Sequence, residues 1–286
     1  MSRLFAGVNR NPDARAMGRF FKLREQPPLW QRVVAGAACL ALILLLWFLA
    51  TNGKAEEHWV TPAILPSPGE VLSSFHSLWF DRALSRNAAW SLWRVLAGFG
   101  LATLIGVPLG ILCGTWPRVN AFFAPISVFL RNVPISALVP LTLVWCGGIC
   151  EKQKVEFIFI ACVMFVVFDA ARSVASVDDR YVQTALTLGA SKFQVVMKVL
   201  VPLSLPDIFG SLRLLFGLAF GYIILAEIVG SEGASGGLGK LIEDSQKRGL
   251  NEHIYILLAT ITVLAYLIDR ALYFVHGKLF PYREGK

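Results

Sequence analysis

Few residues in this 286-residue chain have the types and spacing that chemistry needs. Cys146 and Cys150 stand one helical turn apart, but no histidine or further cysteine joins them at metal-ligand spacing. With Cys39, Cys113 and Cys162 they lie in apolar stretches and read as small buried hydrophobes. His58, His76, His253 and His276 form no metal or catalytic pattern. Gly236-Gly237-Leu238-Gly239-Lys240 invites a phosphate-loop reading. That reading fails, because the motif needs glycine at 234, where alanine stands, and serine or threonine at 241, where leucine stands. No nucleotide site is visible, so any driving energy must come from another chain. Catalytic residues: none; metal ligands: none.

Charges inside apolar segments are better candidates, because ionisable groups at membrane depth are costly and usually functional or paired. Arg131 sits among Pro125, Pro134 and Pro140. It either lines a pathway and clamps an anion, or braces a proline-broken backbone. Glu227 either gates or touches a solute, or has a structural partner. Asp169 and Arg172, spaced i, i+3, could pair on one helix face. Arg213 is expected to snorkel to the surface.

The elements that must position these residues are membrane spans. The chain is 56% hydrophobic and 16% charged, with mean hydropathy +0.60. Soluble domains average about 45–50% apolar and about 25% charged. The net charge of +8 would suggest nucleic acid in a soluble protein, but here it follows the loops, and no nucleic-acid partner is expected. Residues 33–53 form a first anchor helix after a basic segment, 1–32. Residues 95–117 form a second span, approached by an amphipathic stretch, 68–93, lying along the membrane surface. Residues 118–151 are too long and too rich in proline for one straight helix and predict a bent or broken third span. Residues 155–175, 207–227 and 252–276 complete six. The last three have shorter uncharged cores, which predicts burial within protein. Arg3, Arg10, Arg15, Arg19, Lys22, Arg24 and Arg32 place the N-terminus in the cytoplasm. Six spans return the tail, 277–286, to the same side, and place the segment after the fourth span there too.

That segment, 178–206, carries the mechanism. Asp178 and Asp179 suit the start of a short helix. Gly189 permits a sharp turn. Phe193, Val196, Met197 and Leu200 then fall at i, i+3, i+4, i+7, one apolar face of a second short helix. Pro202 and Pro206 are expected to end it and redirect the chain into the next span. The product is a knuckle with an apolar side, suited either to a groove on a partner or to lying on lipid.

Gly189, nine further residues, then Val199-Leu200-Val201-Pro202 resemble the E-A-A-x-x-x-G-x9-I-x-L-P coupling loop of bacterial ABC importer permeases, and Gly189-Ala190-Ser191 matches its common G-A-S form. Gln183 and Thr184 replace the Glu and first Ala, and only Ala185 matches, as is frequent in the nitrate/sulfonate/taurine branch. Leu65-Pro66-Ser67-Pro68 resembles that branch's entry, and Ser91, Arg94 and Gly98 its S-x-x-R-x-x-x-G. Arg131-Asn132-Val133-Pro134, Pro140-Leu141 and Trp145-Cys146-Gly147 resemble R-x-x-P…P-L…W-F-G. Arg213, Glu227 and Gly237-Leu238-Gly239 sit as in that branch, with Phe220 where Trp is usual.

The resemblance implies an all-α ABC type I importer permease (MetI-like) fold over 60–276 and no enzymatic activity in this chain. Gln183, Ala185, Gly189, Ala190, Phe193, Met197 and Pro202 would couple it to an ATPase; Arg131, Pro134, Phe220 and Glu227 would be pathway candidates. It further implies two ATP-binding subunits, which hold ATP and Mg, an extracytoplasmic substrate-binding protein, and a second permease copy in the lipid bilayer of the bacterial inner membrane. The solute would be a small anion such as nitrate, bicarbonate, a sulfonate or taurine. A secondary transporter or channel would instead show internal repeats or ionisable relays. A membrane-embedded enzyme would need a catalytic constellation, and neither feature is evident.

Overall fold

The computed structural model describes residues 28–51, 64–229 and 236–281. Most of the basic N-terminal segment and the end of the tail lie outside the described residues. Residues 1–62 and 63–286 form separate units. In the first, α1 (Leu29–Ala50) is a 22-residue helix whose most apolar 18 residues have mean hydropathy 2.7. At 1.5 Å per residue it is about 33 Å long, enough for a hydrocarbon layer of about 30 Å.

The second unit is all-α. Its elements are α2 (Pro68–Phe80), α3 (Leu84–Thr115), α4 (Pro117–Arg131), α5 (Ile135–Trp145), α6 (Glu151–Ala175), α7 (Asp179–Thr187) and α8 (Lys192–Val195). A π turn (Val196–Leu200) leads into α9 (Val201–Val229), followed by α10 (Leu238–Lys247) and α11 (Asn251–Leu279). Across the described residues five helices are long and apolar enough to cross a membrane. The pair α4 and α5, bent by 99° at a short break, makes a sixth candidate. The bend expected within 118–151 falls between these helices: Pro134 lacks an N–H and biases Val133 away from helical backbone, so the break falls there.

α3 and α6 form the centre. Gly98, Ala102, Gly106, Gly110 and Gly114 recur every fourth residue on one face of α3. A Cβ on Gly110 would lie 2.5 Å from Ala170 Cβ and 2.7 Å from the Val167 carbonyl oxygen. One on Gly114 would lie 2.6 Å from the Ala171 carbonyl. The stripe therefore brings two backbones together, the usual route to helix packing where lipid removes the hydrophobic drive. α3 and α6 run parallel, because Gly98 meets Val155 and Ile158 near their starts and Gly114 meets Ala171 and Val174 near their ends. α9 runs the other way, with Ile208 near its start packed on Ala170 and Val174. α11 runs parallel to α3, since His253 meets Ser77 at one end and His276 the Pro206 carbonyl at the other.

Several expectations need correction. α3 begins at Leu84, not near residue 95, so the amphipathic approach is partly the first three turns of the span itself. The chain enters it through Ala83, whose φ of 48° makes it the one non-glycine left-handed residue among those described. Such a conformation costs roughly 1–2 kcal/mol. α6 is largely buried, but α11 is largely exposed and lies on the outside of the unit. Pro202 and Pro206 do not end a helix. The π turn before them widens the helix, and the chain continues from Lys192 to Val229 as one apolar run. Arg213 does not snorkel; it pairs with Asp269 of α11 and lies 5.1 Å from the Tyr273 ring. Asp169 and Arg172 make no direct ion pair. Cys150 caps α6 by accepting the Gln153 N–H, and Cys146 donates to the Glu156 carboxylate at 2.9 Å, so these two do polar work.

The glycine stripe sets a paired test. Gly100, on the same helix, has nothing within 4 Å of a Cβ. Gly100→Ala should stabilise by about 0.5–1 kcal/mol through helix propensity. Gly110→Ala should destabilise by about 1–3 kcal/mol, because backbone atoms cannot move aside. Thermal unfolding of the two purified variants should therefore shift in opposite directions.

Candidate functional site

The knuckle expected at 178–206 projects from the end of the unit where α3 and α6 finish. Asp178 caps α7, its carboxylate accepting the Arg180 backbone N–H at 2.9 Å and the Arg180 Nε–H at 2.8 Å. The Arg180 guanidinium, then its backbone N–H, holds the Asp178 carboxyl below the ordinary range. α7 ends in a Schellman closure: Ala190 N–H donates to the Ala185 carbonyl and Gly189 N–H to that of Leu186. Gly189 supplies the left-handed residue this closure needs, with φ 86°. Nothing lies within 4 Å of a Cβ there, so backbone conformation alone requires glycine within this chain. Ser191 and Gln194 then form a capping box that starts α8.

The predicted apolar face divides in two. Val195 and Val196 turn inward and are buried, while Phe193 is 69% exposed and Met197 51%. Leu188, at 82%, is exposed beside them. Gln183 and Pro202 are also exposed, and Ala185 and Ala190 are half-buried within the turn. The expected coupling residues thus lie on one contiguous segment, with apolar side chains held outward by a capped, hydrogen-bonded scaffold.

The four pathway candidates do not converge. Phe220 is buried in α9. Pro134 is exposed at the start of α5. Arg131, one turn away at the end of α4, stacks its guanidinium 3.9 Å from the Phe168 ring centroid. Its Nε is buried and has no hydrogen-bond partner. Glu227 lies at the opposite end of the unit from the knuckle, buried in a polar cage.

That cage was not foreseen as a unit. Arg94 of α3 donates from Nη1 to the Glu227 carboxylate at 2.6 Å and to the Gly236 carbonyl at 3.0 Å. Its Nε and Nη2 form a two-pronged bond to Glu151 of α6, at 2.7 and 2.8 Å. The Ser91 hydroxyl lies 2.8 Å from both Glu227 oxygens. The glycine-rich segment closes the cage, with Gly239 N–H donating to Glu227 at 2.9 Å and Leu238 N–H to Ser91 Oγ at 2.9 Å. A Cβ on Gly237 would lie 2.5 Å from the Glu227 carboxyl carbon. The phosphate-loop look of this segment therefore has a physical basis: its glycines let backbone N–H groups approach an anion, which is a carboxylate of the same chain. The Ser91–Arg94 spacing, read only as a pattern match before the second span, was the available signal. The cage consumes the hydrogen-bonding capacity of Glu227 and gives it a structural partner.

Removing one member of a buried ion pair costs about 3–5 kcal/mol, because a charge is left uncompensated. Arg94→Met and Glu227→Met should each destabilise by that order. The double variant should cost clearly less than the two together. Unfolding of the purified chain measures both, and simple additivity would show the pair to be uncoupled.

No group of metal-ligating residues is present among those described. Residues 106–280 match the family described as binding-protein-dependent transport system inner membrane component. The taurine transport system permease protein TauC of Escherichia coli strain K12 is 29% identical over 266 residues, which cover 91% of this chain and 94% of TauC. The nitrate import permease protein NrtB of Synechocystis sp. is 28% identical over 260 residues, covering 87% of this chain and 90% of NrtB. Among solved structures, an inward-facing MetNI methionine ABC transporter chain superposes with TM-score 0.62 at 22% identity, covering 71% of this chain and 97% of that one. The spans, the broken third helix, the G-A-S turn and these matches together identify the chain as a member of the binding-protein-dependent transport permeases, of the nitrate/sulfonate/taurine ABC type.

Proposed function

We propose that this chain is the pathway-forming subunit of an ATP-driven importer in the bacterial inner membrane, with both termini cytoplasmic. Two copies would associate with two ATPase subunits, which bind ATP and Mg, and receive solute from an extracytoplasmic binding protein. The solute is a small molecule with an anionic group: nitrate, for which one relative is named, bicarbonate, a sulfonate, or the zwitterionic sulfonate taurine, for which the other is named. The permease itself performs no chemistry.

The observation that carries this reading is the rigid knuckle with Phe193, Met197 and Leu188 facing out. A groove on a partner would bury these side chains, and such burial contributes about 25 cal/mol per Å² of apolar surface. The α8–π–α9 run makes the knuckle continuous with a helix of 29 residues, about 43 Å long, that ends beyond Glu227. Displacement of the knuckle by ATPase closure would therefore reach the opposite end of the unit through one stiff element.

The test compares ATPase association and uptake. Gly189→Val forces a β-branched residue into left-handed backbone, and Phe193→Asp opposes burial in a groove. Both should leave the permease inserted while lowering ATPase association, uptake and substrate-stimulated ATP hydrolysis together. Lys198→Gln, on another face of the same segment, should be milder. Normal association and uptake in both variants would favour a channel or secondary transporter with a lipid-lying loop. Labelling of a single cysteine at position 191 from outside intact cells would overturn the orientation.

Arg131 is the pathway residue we favour, since its Nε is buried without a partner beside an aromatic face. Arg131→Gln should lower anion uptake while yield and ATPase association stay at the parent level. A fall in complex yield matching the fall in uptake would show that it braces the break instead.

A further inference from the structure

Two adjoining polar cavities open at the end of the unit that holds the Arg94 cage, of about 390 and 220 Å³. They share Asn87 and Gly236, and their walls come from the α2–α3 corner and from α10. Arg82 and Arg248 line the larger one and Arg86 the smaller. Lys240 lies in the same wall, and the acidic side chains there are Asp81 and Asp244. Cations outnumber carboxylates.

We propose that these cavities form a binding site for a small monovalent oxyanion, held by the guanidinium groups of Arg82, Arg86 and Arg248. The proposal rests on the reading of this end as extracytoplasmic and of the solute as an anion.

Three observations support it. None of the three guanidinium groups makes an ion pair or a side-chain hydrogen bond among the described residues, whereas Arg94, Arg180 and Arg213 are all paired. Unpaired basic residues at the knuckle end, such as Arg172 and Lys192, follow from the retention of positive charge in the cytoplasm. The same rule depletes Lys and Arg from the outer face, so a cluster there runs against topogenic bias and calls for a ligand. The walls are also fixed. Asn87 donates to the Arg82 and Ala83 carbonyls at 3.0 and 3.1 Å and accepts the Gly237 N–H at 2.7 Å. It thereby ties the corner that carries Arg82 and Arg86 to the segment that leads into α10. Finally, Ala83 in left-handed backbone lies between those two arginines, and strained residues concentrate where a site must hold a geometry.

The ligand class follows from the donors. Planar guanidinium forks match the paired oxygens of sulfonate, carboxylate, nitrate or bicarbonate. Asp81 and Asp244 reduce the local field and disfavour retention of multiply charged anions. The cavities are open, so a bound anion keeps part of its hydration and exchanges readily, as an entry site requires.

Trp90 lines the smaller cavity and serves as an internal reporter. The full-length chain in nanodiscs is titrated with sodium methanesulfonate, exchanged against sodium chloride at constant ionic strength. Intrinsic fluorescence should change saturably, and the change should vanish in Trp90→Phe. Arg82→Gln with Arg86→Gln should weaken apparent affinity at least about tenfold, as loss of charge-assisted hydrogen bonds implies. Arg248→Gln should also weaken it, and Arg172→Gln, at the other end, should not. A linear response, or affinity unchanged from the parent in the double variant and in Arg248→Gln, would overturn the site. Methanesulfonate uptake by the assembled transporter separates this from the broader reading. Uptake at parent level without any binding removes the site alone. Saturable binding in a complex that imports no anion removes the import reading and leaves the site.

Discussion

The closest constraint in this molecule is the approach of the α3 and α6 backbones along Gly98, Gly106, Gly110 and Gly114. Two parallel helices that nearly touch leave no room for side chains between them, so every larger group must be placed elsewhere. α9 packs across the pair through Phe216, whose ring meets Phe99 edge-on with centroids 5.5 Å apart, and through Ile208. At one end, one turn before Gly98, the stripe gives way to Arg94 and its contacts with Glu151 and the Glu227 carboxylate. At the other it ends, and the knuckle begins.

The cage and the stripe are complementary. Dispersion between backbones fixes distance but not registry along the helix axes. The two-pronged Arg94–Glu151 bond and the Glu227 contacts are directional and fix it at one level. A buried cage of this kind adds little net stability against an apolar alternative, but it penalises any slippage severely.

Much of the architecture was legible in the sequence, because lipid imposes length and hydropathy on every span. The break between α4 and α5 could be read from Pro134 and its neighbours, and the G-A-S turn from Gly189 and Ser191, since both rest on local backbone chemistry. What escaped was tertiary. Arg94 and Glu227 stand 133 residues apart, and nothing local to either announces the other. The early start of α3 escaped because its first turns are polar enough to resemble a surface segment. The exposure of α11 escaped because an apolar helix facing lipid and one facing protein have similar composition. Of the site residues, the outward set of the knuckle could be narrowed to a face but not to Phe193 and Met197, because the π turn shifts which positions point inward.

That π turn has a consequence for registry. Five residues, Val196–Leu200, are wound at i→i+5, so the path from α8 to α9 contains more chain than an α-helix of the same length would hold. An ideal α-helix advances about 100° per residue. The side-chain stripes of α8 and α9 are accordingly offset by about one residue's rotation. Phe193 and Met197 point away from the protein although the apolar face of α9 that follows them packs inward. Rewinding the turn as α-helix without removing a residue would carry the whole knuckle around the α9 axis by roughly that angle, whereas deleting one residue would restore α-helical winding and leave the knuckle nearly in place. The direction in which this chain presents its apolar knuckle is thus set by the winding of one turn, independently of which side chains the knuckle carries.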